Sequence, residues 1–178
     1  YKGKFFVDET ILVNAAIFVN GNPQQPHLSK KTGYHKAIGK KVIYNTMWDK
    51  YPAGGETALV DGKRGGFNYS DQLWQGFTSD MDVIIDLGEA MNLHTININF
   101  MQLIGPEVYM PEYVEVSFST DGSSYERTVR IDNDVPVDYE RLYIKDFSCE
   151  LNDLSARYVR VFAKNNKEFI FADEIVIN

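Results

Sequence analysis

The sequence predicts an all-β protein with the architecture of a jelly-roll β-sandwich. Apolar and polar residues alternate with a period of two in several short segments, which is typical of half-buried strands. Clusters of Gly, Asp, Asn and Pro separate these segments, and such clusters form turns. Helical periodicity is nearly absent, with short turns such as 152–156 as the only candidates. Seven or more short strands joined by turns favour a sandwich of antiparallel strands.

The N-terminal 35 residues contain the first strand pattern and then a break. Apolar side chains alternate over 11–20, and Pro23 and Pro26 follow, which cannot donate to a sheet ladder. So few residues cannot bury a core of their own. We therefore interpret 1–35 as terminal strands and linker of a preceding domain, and 36–178 as the main domain.

The main domain carries the other strand patterns, each ending at a turn signal. Within 93–101, apolar residues occupy every second position from Ile96 to Phe100, so one face is buried and the other is polar. The Asp121-Gly122 pair supplies a hairpin-type turn. The predicted strands span 42–44, 81–87, 93–101, 113–119, 125–131, 141–147, 157–163 and 174–177.

The stretch from 58 to 77 stands apart because it lies between strand patterns and contains four glycines and four aromatic residues. Connections longer than about 12 to 15 residues without secondary structure are usually functional or disordered. Aromatic residues argue against disorder. We therefore predict a functional loop here.

Charge and composition exclude several classes of partner. The formal net charge is −7 and no cluster of Lys and Arg stands out, so nucleic acid and anionic membranes are disfavoured as partners. No apolar run is long enough to span a bilayer. Cys149 is the only cysteine, which excludes an intrachain disulfide and a cysteine-based metal site. Neutral sugars or cations fit this composition better.

No sequence motif selects a catalytic site. The three histidines, His27, His35 and His94, have unrelated spacings, and the sequence contains no nucleophile elbow, zinc-protease motif or phosphate-binding loop. Some pair among the 25 acidic residues would reach the carboxylate separation of a glycosidase by chance alone. We therefore expect no catalysis from this fragment.

Six short motifs occur in a characteristic order along residues 36–178. They are ALVDG at 58–62, Trp74, VIIDLG at 83–88, VEVSFSTDGS at 114–123, ARYVRV at 156–161 and DEI at 173–175. In this order they resemble the discoidin, or coagulation factor 5/8 type C, family, which includes carbohydrate-binding modules of glycoside hydrolases. The resemblance implies a galactose-binding-domain-like β-sandwich.

A narrower resemblance involves WQGF at 74–77 with the glycine-rich insert before it, Gln102 ahead of PEYV at 111–114, and YHKAIGK at 34–40. These are similar to the C-terminal region of bacterial chitobiase and β-N-acetylhexosaminidase-type enzymes. The resemblance implies a non-catalytic module of an exported bacterial glycosidase, with the parent catalytic domain and carbohydrate as partners. Residues 1–35 would then be the last strands of the preceding chitobiase C-terminal β-domain.

The family resemblance also implies a structural calcium ion under the binding loops. Its ligands would be Asp61, Glu174 and loop carbonyls such as those of Leu59 and Lys63, since calcium takes six to eight oxygen ligands. The family has Thr-x-Trp before its tryptophan, where this chain has Gln-Leu-Trp, so either Asp71 is the substitute ligand or the site is empty. The alternative is that Asp61 caps its turn and Glu174 pairs with an Arg or Lys.

Sugar binding requires a flat aromatic face and planar polar side chains. The candidate ligand contacts are Trp48, Arg64, Tyr69, Trp74, Gln75 and Gln102, with Tyr51, Phe67, Asn68, Phe77 and Tyr109 as further loop candidates. The expected ligand is a glycan containing N-acetylglucosamine or galactose.

Two alternatives to sugar binding remain open. A purely structural module that packs on the catalytic domain predicts joint burial of Trp48, Tyr69 and Trp74. An adhesin-like module that binds proteins predicts a large exposed apolar patch.

Overall fold

The computed structural model describes residues 9–25 and 28–178. Within them the chain forms eleven strands and one 3-10 helix, Gly55–Val60. The strands are β1 Ile11–Ala15, β2 Phe18–Val19, β3 Asn22–Pro23, β4 Leu28–Thr32, β5 Lys41–Tyr44, β6 Gln75–Phe77, β7 Met81–Gln102, β8 Tyr113–Ser119, β9 Arg127–Asp132, β10 Tyr143–Ala163 and β11 Ile170–Ile177. No helix among the described residues is both long and apolar enough to cross a membrane.

Two long strands, β7 and β10, run through both halves of the main sheet. They pair antiparallel along most of their length, with irregularities in β10 between Glu150 and Leu154 and between Ala156 and Tyr158. The first half of β7 also pairs with β5, and its second half pairs with β11. One half therefore has the order β5-β7-β10-β8-β9, and the other has the order β6-β11-β7-β10.

The two halves share one hydrophobic core. Val83 and Val161 come from the first half, Ile98 and Ile175 come from the second, and all four belong to a single cluster of fully buried residues. The prediction of an all-β sandwich is therefore confirmed. The alternating apolar positions of β7 and β8 are buried because each strand turns one face to this core.

The structure differs from the sequence prediction in the length of two strands, each of which spans two predicted strands. The predicted strands 81–87 and 93–101 form one strand, in which Gly88 adopts a φ of 89° where β7 passes from one half to the other. The predicted strands 141–147 and 157–163 are also continuous, so the candidate turn at 152–156 lies inside β10. In the connecting region, residues 154–156 of β10 pair with 91–93 of β7, between two register shifts.

A smaller apolar cluster lies on the other face of the second half. Its buried members are Trp74, Met101, Val108 and Phe171. Phe171 and Met101 are register partners on β11 and β7, so their side chains project from the same face of the sheet. This cluster, which we call the outer cluster, lies beneath the loop that precedes β6.

The N-terminal strands form two separate small sheets. β1 pairs with β4, and β2 pairs with β3. Their exposed apolar side chains are Leu12, Ile17, Phe18, Val19 and Leu28. Residues 1–8, Pro26 and His27 of the predicted terminal segment lie outside the described residues. The assignment of 1–35 to a preceding domain stays a prediction.

Candidate functional site

A cleft of about 330 Å³ opens between the loop that follows β5 and the loop that precedes β6. Its lining residues are Lys50, Tyr51, Pro52, Ala53, Tyr69, Ser70, Gln72 and Trp74. The hydrogen-bonded registers place the end of β5, the start of β7, the end of β10 and the start of β8 at one end of the sandwich. The cleft therefore lies beside the strand ends, where loops from distant parts of the chain meet.

Four aromatic rings pack together at the cleft. Tyr51 and Tyr69 line it, and Phe169 and Phe171 pack against them. The Tyr51 ring centroid lies 4.8 Å from that of Phe171, 5.6 Å from that of Phe169 and 6.3 Å from that of Tyr69. Tyr51 and Tyr69 are half-buried, so each contributes packing surface and keeps part of its ring accessible. Such rings offer a sugar an apolar face and hydroxyl groups at the rim.

Backbone hydrogen bonds to β6 hold the first loop in place. The Gly76 amide donates to the carbonyl of Tyr51 at 3.0 Å, and the Asp49 amide donates to the carbonyl of Gly76 at 2.9 Å. Gly76 must lack a side chain, because a Cβ there would lie 2.5 Å from the Phe171 ring. The loop is thus tied to the same strand that supports the outer cluster.

Gln75, the first residue of β6, holds the loop that follows β5 in place. Its side chain is fully buried, its Nε2 donates to the carbonyls of Pro52 and Gly55, and its Oε1 accepts from the Tyr44 hydroxyl at 2.9 Å. Burial raises the pKa of Tyr44. Gln75 therefore fixes the shape of the cleft and has no exposed surface for a sugar, in contrast to its predicted role.

The insert between Lys63 and Gln72 lies across the outer face of the second half. The Gly65 amide donates to Asp173 Oδ2 at 2.8 Å, and Arg64 Nη1 lies 3.0 Å from Asp146 and 3.4 Å from Asp173. The Trp74 indole N–H donates to the carbonyl of Gly66 at 3.0 Å. These contacts anchor the insert to the sheet and bury the indole.

Asp173 is a fully buried carboxyl group at this anchor. Burial raises its pKa to about 7, and the nearby Arg64 guanidinium and the Gly65 amide act in the opposite direction. A carboxyl group with this pKa changes charge near neutral pH. The attachment of the insert to the sheet therefore depends on a titrating group.

Asp71 organises the remainder of the insert. Its two oxygens accept hydrogen bonds from the amides of Gly66 and Leu73, at 2.8 and 2.9 Å. Phe67, between these contacts, has 82% of its surface exposed. The insert thus forms one wall of the cleft through Tyr69, and it presents a single exposed ring outside the cleft.

The predicted calcium ligands do not form an arrangement of oxygens that fits the ion. Glu174 is 1% exposed, and its oxygens face the His35 ring nitrogen Nε2 at 2.9 Å and the Gly62 amide at 3.1 and 3.2 Å. Asp61 accepts from the amide of Lys63 and contacts its ammonium group at 2.7 Å. Nitrogen donors therefore stand where calcium requires oxygen ligands.

Asp71, the third predicted carboxylate ligand, lies in the insert, away from Asp61 and Glu174. The carboxylate of Asp71 is engaged within the insert, and Leu59 is a buried residue of the 3-10 helix. The described residues contain no group of three or more His, Cys, Asp or Glu side chains that could hold a metal. Asp61 caps its own turn, as in the alternative interpretation, whereas Glu174 faces His35 and not the Arg or Lys that this alternative expected.

The predicted sugar contacts fall into two groups. Tyr69 and Trp74 line the cleft, although Trp74 is 1% exposed. Trp48 packs edge-to-face on Tyr44 at 4.9 Å and does not line the cleft, and Arg64 is engaged by two aspartates.

Gln102 is buried and joins two loops. Its Nε2 donates to the carbonyls of Pro136 and Tyr139, and its Oε1 accepts from the Met110 amide. Its predicted role as a ligand contact does not agree with this burial. Like Gln75, it shapes the loop end of the sandwich from inside.

The cleft also contains residues that sequence reasoning did not select. Lys50, Pro52 and Ala53 line it, and Phe169 supports Tyr51. The position of Lys50 beside the predicted loop aromatic Tyr51 was the only available signal. Phe169 has no local signal, because more than a hundred residues separate it from Tyr51 in the sequence.

The comparisons with known proteins identify the fold. No family model matches the sequence, and no curated protein matches it. A Streptococcus pneumoniae fucose-binding module has a TM-score of 0.59 and 15% identity, covering 82% of this chain and 97% of that chain. The lectin domain of lectinolysin, solved with Lewis B antigen, has a TM-score of 0.57 and 14% identity, covering 82% and 96%.

A third structure extends this group to another sugar-binding module. Chitosan-binding module 1 from a Paenibacillus sp. IK-5 chitosanase/glucanase has a TM-score of 0.55 and 12% identity, covering 82% of this chain and 98% of that chain. At these identities the likeness shows a shared fold. The chain therefore has the β-sandwich fold of these carbohydrate-binding modules.

Proposed function

We propose that this chain is a non-catalytic carbohydrate-binding module and that it holds a glycan in the cleft lined by Tyr51, Tyr69 and Trp74. The observation that carries the proposal is the combination of half-buried aromatic rings with Ser70 and Gln72 around one open cavity. A pyranose ring has one apolar face, which stacks on an aromatic ring, and hydroxyls that need polar partners at its edge. The cleft supplies both.

The backbone of the cleft supports a functional role. Ala53 and Gln72 line it, and their φ angles of 48° and 69° lie in the left-handed region that non-glycine residues seldom adopt. Such strain costs about 1 to 3 kcal/mol per residue and persists where the surroundings enforce it, often at binding sites. Two strained residues in one cleft are consistent with a site shaped for a ligand.

The partial exposure of Trp48 and Tyr69 favours sugar binding over a purely structural role. Joint burial of Trp48, Tyr69 and Trp74 is the expectation for a module that only packs on a catalytic domain. Trp74 is buried, whereas Trp48 and Tyr69 are half-buried. A ring that keeps an accessible surface inside a cleft is available to a ligand.

The biological setting is part of this proposal. The named ligands of the similar structures are fucose, Lewis B antigen and chitosan, which are all carbohydrates. For this chain we propose glycans containing galactose or N-acetylglucosamine. The parent would be an exported bacterial glycosidase of the chitobiase type, in agreement with the sequence resemblance at 34–40 and 74–77.

Calorimetry with galactose, N-acetylglucosamine and fucose tests the binding function. We expect dissociation constants in the millimolar range or below for at least one sugar, and a loss of about tenfold or more for Tyr69→Ala, since an aromatic contact contributes on the order of 1 kcal/mol or more. Tyr143→Ala is the matched control, because Tyr143 is a partly exposed tyrosine that does not line the cleft. Absence of binding for all three sugars at millimolar concentration would refute the proposal.

A second candidate function is docking to a neighbouring domain, and the exposed apolar side chains of β1 to β4 favour it. Leu12, Ile17, Phe18 and Leu28 each have more than half of their surface exposed. Burial of such side chains contributes about 25 cal/mol per Å². If they dock, proteolysis within 9–33 will be slower in the full-length enzyme than in this chain, and equal rates would contradict docking.

A further inference from the structure

We propose that the glycan held in the cleft carries an anionic group, either a carboxylate or a sulfate ester, and that Lys50 selects it. This inference rests on the proposed function, because it names the chemical class of sugar that the same cleft takes. It goes beyond that function, since aromatic stacking by itself does not distinguish an acidic sugar from a neutral one.

Among the described residues that line the cleft, Lys50 is the one charged side chain. Its ammonium group lies 5.1 Å from the Phe169 ring centroid and 5.5 Å from that of Tyr51. These rings hold the lysine at the rim through cation–π attraction, which does not neutralise its charge. The cation is therefore positioned beside the ring on which a sugar would stack.

The charge of Lys50 is uncompensated within the described part of the chain. Three other lysines, Lys63, Lys145 and Lys164, each form an ion pair with an aspartate, whereas Lys50 forms none there. No carboxylate of residues 9–25 and 28–178 lines the cleft, and the nearby Asp71 uses both oxygens to accept amide hydrogens inside the insert. A ligand anion would meet this ammonium group without a protein competitor.

Because the chain as a whole is negatively charged, the position of Lys50 in the cleft is informative about the charge of the ligand. With a formal net charge of −7, the protein repels an anionic ligand at long range. Beyond a Debye length of about 8 Å this repulsion is largely screened at physiological salt, so contacts inside the cleft decide selectivity. The same cation disfavours an amino sugar that carries a positive charge.

The test measures the affinity for three sugars that differ only at C6: galactose, galacturonate and galactose 6-sulfate. We expect the anionic sugars to bind about fivefold more tightly than galactose at low salt, because a partly exposed ion pair contributes up to about one kcal/mol. The preference should shrink as salt is added.

Two lysine variants separate this role from a general effect of surface charge. Lys50→Met keeps most of the apolar stem and removes the charge, so it should abolish the preference for the anionic sugars over galactose. Lys167→Met is the matched control, since Lys167 also lies over a tyrosine ring, that of Tyr109 at 4.8 Å, but does not line the cleft. The control should retain the preference.

The outcomes distinguish this inference from the proposed function. Equal affinity for the three sugars, or an equal loss of preference in both variants, would overturn the role of Lys50 and leave sugar binding intact. Absence of binding for all three sugars would overturn both the role of Lys50 and the proposed function. A preference for galacturonate alone identifies a carboxylate as the ligand group, a preference for the sulfate alone identifies a sulfate ester, and each supports the inference.

A different observation supports a second inference: we infer that the pair of His35 and Glu174 stabilises the loop base in place of calcium. Both residues are buried, and the Glu174 oxygens face the His35 ring and the Gly62 amide. The second ring nitrogen of His35, Nδ1, lies buried without a hydrogen-bond partner among the described residues. The tautomer with hydrogen on Nε2 therefore fits best, because it leaves no N–H group unsatisfied.

Thermal unfolding in millimolar calcium and in chelator tests this second inference. We expect the two midpoints to agree within about 1 °C, because a ligand that binds only the folded chain would raise its midpoint. Glu174→Gln should lower the midpoint equally in both solutions, since it weakens a contact within the protein. A saturable rise with calcium, lost in Glu174→Gln, would overturn the inference.

Discussion

The contact between Gly65 and Trp74 supplies the sharpest prediction about stability. A Cβ atom at Gly65 would lie 2.2 Å from Cε2 of the indole and 2.3 Å from its Nε1. Optimal separations between such atoms are about 3.5 to 4.0 Å, so Gly65→Ala must displace either the ring or the insert by more than about 1 Å. Neither can move without breaking other contacts.

The expected cost follows from those contacts. The indole belongs to the outer cluster with Met101, Val108 and Phe171, so movement of the ring disturbs this packing. Movement of the insert instead breaks the hydrogen bond from the Gly65 amide to Asp173. Overpacking costs about 1 to 3 kcal/mol, and a lost hydrogen bond costs about 1 kcal/mol more. We therefore expect Gly65→Ala to lower the free energy of unfolding by about 3 kcal/mol.

Gly66→Ala is the matched control for this substitution. It adds the same methyl group one residue later, where the nearest heavy atom is Asp71 Oδ2 at an ordinary 3.4 Å. Neither glycine has a φ in the left-handed region. The control should change the free energy of unfolding by less than about 1 kcal/mol, and it is even expected to stabilise slightly by restricting the unfolded chain.

Thermal melting followed by circular dichroism and tryptophan fluorescence measures both variants. At about 2 to 4 °C per kcal/mol for a chain of this size, Gly65→Ala should lower the midpoint by about 6 to 12 °C. Its fluorescence should shift to longer wavelength, because the buried indole of Trp74 becomes solvated. A midpoint equal to that of Gly66→Ala would refute the close packing of Gly65 on the indole.

The other stability predictions concern Asp173, Gly76 and Tyr44. Because the pKa of folded Asp173, about 7, exceeds the value near 4 of an unfolded aspartate, the folded chain binds an extra proton between these pH values, so stability should fall as pH rises through that window. Urea unfolding across pH 4 to 8 should show a weaker decline in Asp173→Asn, and an unchanged profile would contradict the assignment. Gly76→Ala should destabilise by about 2 kcal/mol or more in thermal melts, because its Cβ would meet the Phe171 ring at 2.5 Å; a midpoint equal to that of the parent chain would exclude this contact. Tyr44→Phe should cost about 1 kcal/mol in urea unfolding, since it leaves the buried Gln75 Oε1 without its donor, and an unchanged stability would argue against that hydrogen bond.

Several features of the fold were predictable from local sequence patterns. The alternation from Ile96 to Phe100 marks one buried face, and these residues are buried in β7. Period-two patterning needs no knowledge of the partner strand, because the pleat of any strand sends alternate side chains to opposite faces. The continuity of β7 through Gly88 was not predictable, because it depends on the pairing of 91–93 with 154–156 of β10, which lie far away in the sequence.

The candidate site was predicted in part. The insert that contains Tyr69 was recognised from its length and its aromatic residues, and the residue does line the cleft. Gln75 and Gln102 were expected to face a ligand, whereas both are buried with their polar atoms paired. A glutamine on a loop has the same local signature whether it contacts a sugar or the carbonyls of a neighbouring loop.

By itself the sequence determined the class of the fold, and it predicted a functional loop at 58–77 and no nucleic-acid partner, because alternation, turn composition and charge are local or additive properties. Only the tertiary structure decided that Lys50 and Tyr51 of the cleft pack on Phe169, and that Glu174 faces His35. These residues lie more than a hundred positions apart in sequence. Their meeting depends on the register of β11 against β7 and on how the loops close over the strand ends, which no local pattern specifies.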